Sequence, residues 1–149
     1  MGQQLAVETW EALFRAQVAV MRRLTAEFPP GLSVTEYDVL FNLSLRPGRS
    51  ARLRDLNNLL LLTQPSISRM VDRLVNRGLL TKRPDEHDGR GTVVTLTDAG
   101  YRRFLSTAVE HARSIDAALS PALSEDELIL LRQLTDKLRA RVAGGTTGD

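Results

Sequence analysis

Between Gln64 and Arg90 the chain carries side chains suited to a polyanion and to the edges of bases. Gln64, Ser66, Ser68 and Arg69 lie close together, with Pro65 among them. Gln and Arg can each make paired hydrogen bonds to a base edge, and small serines let a helix backbone come near a groove. Arg73 and Arg77 follow at one-turn spacing, where a guanidinium is better placed for phosphate than for a base. Further on, Asp85-Glu86-His87-Asp88 sets four titratable groups side by side. Such a run could ligate a metal or serve as acid and base. A contiguous loop cluster usually sits on a solvated tip, however, and His111 is the only other histidine. There is no phosphate-binding glycine loop, no dinucleotide fingerprint and no HExxH pair. An enzyme is not expected, and neither a cofactor nor a metal is called for.

Charge points the same way. The formal net charge of +2 hides an uneven distribution. Residues 46–90 hold ten basic and five acidic groups, a balance of +5, and the remainder hold ten and thirteen, a balance of −3. A basic middle favours nucleic acid first among polyanions. The chain has no cysteine, which excludes disulfides, thiol nucleophiles and cysteine–zinc sites. No apolar run approaches the ~18 residues of a membrane span. The first residues lack the basic-then-apolar layout of a signal peptide, and Ala6 stands where a myristoylation motif wants Ser or Thr. The expected setting is cytoplasmic, without a membrane partner.

The elements that position these residues can be read from periodicity. Residues 4–27 carry no Gly or Pro and repeat apolar residues at helical spacing, so they predict a long helix ended by Phe28-Pro29-Pro30-Gly31. A second helix starts with Thr35 as cap, has Glu36 and Asp38 in its first turn, and ends at Arg46-Pro47-Gly48. A short third begins near Arg52. A fourth begins at Thr63 or Gln64, tolerates Pro65 in its first turn, and stops at Gly78. Its apolar face holds Ile67, Met70, Val71 and Leu74, and its polar face Ser66, Arg69, Arg73 and Asn76. Then the period changes: residues 79–83 and 92–97 are β-type runs around a glycine-bearing stretch, a hairpin signal. Thr97 caps a fifth helix, Ser120-Pro121 breaks it, and Ser124 with Glu127 forms a capping box for the last. Residues 144–149 are expected to be a disordered tail.

Three helices followed by a hairpin describe a winged helix-turn-helix, with 64–77 as the helix that enters DNA. The fold class expected is therefore mainly α with a small β-hairpin wing. One domain spans 1–143, with the winged core at about 33–98. The apolar stripes at about 4–27 and 105–143 find no partner in so small a core. Their simplest use is a shared homodimer interface.

The segments QPSISRMVDRLVNRGLL and KRPDEHDGRGTVVTLTDAG resemble the MarR family of bacterial transcription regulators. The matching residues are Ser68-Arg69, Val71-Asp72-Arg73-Leu74, Gly78-Leu79, Arg83, Asp88-Gly89-Arg90 and Leu96-Thr97-Asp98-Ala99-Gly100. The resemblance implies a homodimer that binds double-stranded DNA at an inverted repeat, most simply as a repressor. It implies that Arg90 enters the minor groove, that Asp88 orients its guanidinium, and that glycines turn the tip. It also implies a small phenolic or anionic ligand in a crevice between dimer helices and winged domain, for which Trp10, Phe14, Tyr37 and His111 are the candidates. Two departures stand out: Leu61 replaces the usual corner glycine, and Gly89 replaces a basic residue. The alternative is a DNA-architectural or partner-binding winged-helix protein without a ligand switch.

Overall fold

A computed structural model describes residues 1–60 and 66–144. Its elements are α1 (Gly2–Ala26), α2 (Val34–Ser44), β1 (Ser50–Arg52), α3 (Leu53–Leu59), α4 (Ile67–Asn76), β2 (Leu80–Pro84), β3 (Thr92–Leu96), α5 (Asp98–Leu119) and α6 (Glu125–Gly144). The expected starts of the fourth helix at Thr63 or Gln64, the Leu61 corner and the residues 145–149 of the tail lie outside the described residues. Gly144, expected in that tail, is the last residue of α6.

The cap of α2 is Ser33, not Thr35. Its hydroxyl accepts from the Glu36 N–H at 3.1 Å, and the Glu36 carboxylate accepts from the Ser33 N–H at 2.9 Å. The reciprocal pair satisfies two backbone donors that the first helical turn leaves open. Thr35 sits too late to do so and bonds the Ser33 hydroxyl instead, at 3.0 Å.

The stop of α4 follows the glycine signal. Gly78 takes φ 74°, its N–H reaches the Val75 carbonyl, and the Leu79 N–H reaches that of Leu74. This is a Schellman ending, with Leu79 folding back on Leu74 in the core.

Among the described residues the sheet has three strands rather than two. β1 pairs antiparallel with β3, Ala51 opposite Val94, and β2 pairs on the other side, Lys82 opposite Val94. The order is β1-β3-β2. Three residues are too few to show the alternation by which a strand is recognised.

Val39, Leu40 and Leu43 of α2, Leu56 of α3, Val71 and Leu74 of α4, Leu80 and Val94 are almost wholly buried. They form the winged core, and Phe104 attaches α5 to it. The terminal helices differ. α1 buries only Leu24, and α6 buries nothing. Leu131, Leu134, Leu138 and Val142 share one face of α6 and are all exposed, as are Leu5, Trp10 and Phe14 on α1.

Candidate nucleic-acid interface

α4 owes its orientation to its apolar face. Ile67, Met70, Val71 and Leu74 are buried, which turns Ser68, Arg69 and Arg73 outward to solvent. Ser66 lies half-buried at the start of the helix. Gln64 and Pro65 lie outside the described residues. Asp72 and Lys82 form an ion pair that ties α4 to β2. Arg69 and Arg73 form no ion pair with another described residue, and both are exposed.

Arg77 belongs elsewhere. Its guanidinium donates to the Gly31 carbonyl and sits 3.3 Å from the Glu36 carboxylate. It joins the end of α4 to the start of α2, so this guanidinium is already engaged within the fold. Arg83 stays exposed on β2, in a loose pair with Glu86 at 3.8 Å.

The wing is turned by its aspartates. Asp85 accepts from the His87 N–H at 3.0 Å, and Asp88 accepts from the Arg90 N–H at 3.2 Å. Each is an Asx turn, in which a side chain replaces a backbone carbonyl. Two expectations are corrected here. Asp88 holds the backbone of Arg90 and faces the Arg54 guanidinium at 3.8 Å, rather than orienting the Arg90 side chain. The wing glycines do not adopt positive φ. Gly91 sits where space is tight, since an added Cβ would stand 3.2 Å from Asp85 Cβ and 3.3 Å from the Asp88 carbonyl.

Asp85 is the buried anchor of this turn, with a side chain only 5% exposed. Arg52 Nε lies 2.8 Å from its Oδ2, a charge pair without hydrogen-bond alignment. The His87 N–H holds the carboxyl below its usual range, burial opposes this, and Arg52 adds to the lowering. A lowered folded-state pKa contributes stability that is complete above the ordinary carboxylate value and is lost as pH falls through the folded one. Asp85→Asn keeps an oxygen for His87 but loses the charge facing Arg52. Its thermal midpoint should lie below wild type at pH 7, and the gap should close below about pH 4. A gap that persisted undiminished to pH 3 would exclude the carboxylate charge as its cause.

Between the start of α4 and the wing lies a cleft of about 370 Å³. Ser68, Asp88 and Arg90, expected from sequence, meet there with Arg52, Arg54 and Asn57, which sequence reading did not select. The paired arginines at 52 and 54 at the entry to α3 were the available signal. Arg90 is exposed at the edge and forms no ion pair with another described residue. The cleft therefore sets an exposed arginine of the wing next to the serine and arginine face of α4. No group of three His, Cys, Asp or Glu among the described residues is arranged to hold a metal.

The four ligand candidates separate into two places. Tyr37 and His111 meet edge-on, ring centres 5.3 Å apart, and line a cavity of about 370 Å³ between α1, α2 and α5. Trp10 and Phe14 meet at a tilt, ring centres 5.6 Å apart, on the exposed face of α1, along a separate hollow. They do not share one crevice within the chain, because α1 extends beyond the core that holds Tyr37. Burial raises the Tyr37 pKa and lowers that of His111, so it favours the uncharged form of each ring.

Residues 31–91 match the model of the MarR family. The regulator PecS of Dickeya dadantii is 30% identical over 128 residues, covering 85% of this chain and 76% of PecS. The chain belongs to the MarR family. PcaV of Streptomyces coelicolor, solved with its natural ligand, is 29% identical with a TM-score of 0.70, covering 91% of this chain and 94% of that one. Sco3205, a MarR-family regulator from the same organism solved in complex with DNA, shares the fold at 24% identity and a TM-score of 0.75, covering 91% and 85%. This MarR-family protein is thus a DNA-binding transcription regulator on a winged-helix fold, of a non-enzymatic family. No described helix is long and apolar enough to cross a membrane.

Proposed function

We propose that this regulator acts in the cytoplasm as a homodimer on an inverted-repeat operator, represses transcription there, and is released by a small-molecule ligand. The observation that carries the DNA contact is the cleft in which exposed Arg90 stands beside the outward face of α4. Ser66, Ser68 and Arg69 read base edges in the major groove, with Gln64 and Pro65 assigned by sequence pattern. Arg73, Arg83 and Arg54 meet phosphates. Arg90 enters the minor groove, where negative potential favours arginine. Dimerisation through α1 and α6 is supported by their exposed apolar faces. Two-fold symmetry then sets half-sites about 34 Å apart, one helical turn. Ligand release is supported by the cavity at Tyr37 and His111, which adjoins both α1 and the winged core.

The test is selection from random DNA, then binding of the winner and of a scrambled duplex at two salt concentrations. An inverted repeat preferred by about 10³-fold is expected. Equal binding of both duplexes, falling steeply with salt, would overturn the proposal in favour of an architectural protein. Arg90→Ala should weaken operator binding about 10- to 100-fold and leave the dimer intact. Arg69→Ala should change the preferred sequence. Wild-type affinity in Arg90→Ala would remove the wing from the interface.

A further inference from the structure

The wing tip is a loop closed on itself. The Asp85 N–H donates to the Gly91 carbonyl at 2.9 Å, and the Gly91 N–H to that of Asp88 at 2.8 Å. The Asp85 and Asp88 carboxylates accept the His87 and Arg90 N–H groups. These bonds shape the loop without tying it to anything else. Ion pairs from the start of α3 tie it to the body of the domain. Arg54 reaches Asp88 at 3.8 Å, a long pair exposed on both sides, and such a pair holds little. Arg52 reaches Asp85 at 2.8 Å, and there the carboxylate side chain is only 5% exposed.

The place of Arg52 in the chain suits it to this task. It ends β1, opposite Val93 of β3, and stands at the N-cap of α3. β1 does not neighbour β2, so the side chain crosses β3 to reach the residue that follows β2. One turn further along α3, Leu56 is wholly buried with Val71 and Leu74 of α4. The pair therefore links the wing tip to the packed unit that carries Ser68 and Arg69. Without Arg52 the buried Asp85 charge would lose its nearest counter-charge, and turning out to water would relieve it. Asp85 would not leave alone. Its N–H holds Gly91, whose chain neighbour is Arg90.

We infer that Arg52 is a positioning residue for operator binding: through Asp85 it fixes the wing tip, and Arg90 with it, beside the outward face of α4. The inference rests on the reading of Arg90 as a DNA contact and adds how that contact is aimed. An arginine already held in place binds without first giving up the freedom of a loose loop. Arg52 acts here without touching DNA, so its effect is bounded by what Arg90 contributes.

A double-mutant cycle on the selected operator, read by fluorescence anisotropy of the full chain at one salt concentration, tests it. Arg52→Gln should weaken binding about ten-fold in the wild-type background and less than about two-fold in Arg90→Ala. Arg52→Lys, which keeps a charge facing Asp85, should recover most of the loss. Asp85→Asn breaks the same pair from the other side and should follow the same pattern, and it carries the cycle if Arg52→Gln does not fold. In the DNA-free chain, exchange of the His87, Arg90 and Gly91 amide protons should quicken in both variants. An equal loss with and without Arg90 would overturn the inference and make Arg52 a phosphate contact in its own right. Wild-type operator binding by Arg52→Gln or by Asp85→Asn would overturn it and leave the Arg90 reading standing. Wild-type binding by Arg90→Ala would overturn both.

Discussion

Gly100→Ala should destabilise the protein by about 3 kcal/mol or more, at the upper end of overpacking costs. Intrinsic propensity predicts the opposite, since alanine in place of a helical glycine gains about 1 kcal/mol. The surroundings decide the sign. A Cβ at Gly100 would lie 2.1 Å from the Leu79 carbonyl oxygen and 2.7 Å from Leu96 Cδ1. The carbonyl cannot swing aside, because it accepts the Thr97 N–H at 3.1 Å. The Thr97 hydroxyl donates to the Gly78 carbonyl at 2.7 Å and accepts the Gly100 N–H at 2.9 Å. The first turn of α5 is thus clamped flat on the segment between α4 and β2. Relief would require α5 to lift, and with it Phe104, its anchor in the core. Chemical and thermal unfolding would check this. An unchanged or raised midpoint would mean that α5 is not held as described.

If the proposed homodimer forms through α6, Leu134→Glu combined with Leu138→Glu should convert it to monomers and weaken operator binding by about 10³-fold. Both leucines are roughly half exposed in the isolated chain, at 55% and 49%. Completing their burial across a two-fold axis is worth roughly 1 kcal/mol each, four times over in a dimer. Carboxylates in the same positions would add a desolvation cost of several kcal/mol. The winged core lies apart from α6, which buries no residue, so the helical spectrum should survive. Sedimentation would read the mass directly. A variant that remained a dimer would show that this face of α6 is not the interface.

The two substitutions probe different kinds of information, and the sequence carried them unequally. The exposed stripe on α6 is legible because helical spacing alone places Leu131, Leu134, Leu138 and Val142 on one face. The motif ending in Gly100 was visible as a pattern, but its reason was not. That reason is a carbonyl 21 positions earlier in the chain, at Leu79.

Local chemistry was enough for most of the architecture. Capping depends on residues within one turn, which is why Thr97 and the Ser124–Glu127 box were readable. Ser33 and Glu36 obey the same rule, and the spacing was present in the sequence although Thr35 drew the assignment. The shift from helical to alternating period marked the wing. The basic balance of residues 46–90 and the small polar face of α4 marked the nucleic-acid partner.

Tertiary structure decided which charges are available. By composition Arg77 and Arg90 look alike. Folding brings Glu36 and the Gly31 carbonyl to Arg77 and leaves Arg90 at an open edge. It likewise separates Asp85, buried beside Arg52, from Glu86, exposed one residue later. It adds β1 to the wing by pairing alone and divides Trp10 and Phe14 from Tyr37 and His111. Helix, cap and turn are set by neighbours a few residues apart, whose distances the covalent chain limits. Ion pairs, strand partners and cavity walls join residues tens of positions apart, and those distances exist only once the core of Leu40, Leu43, Val71 and Leu74 has closed.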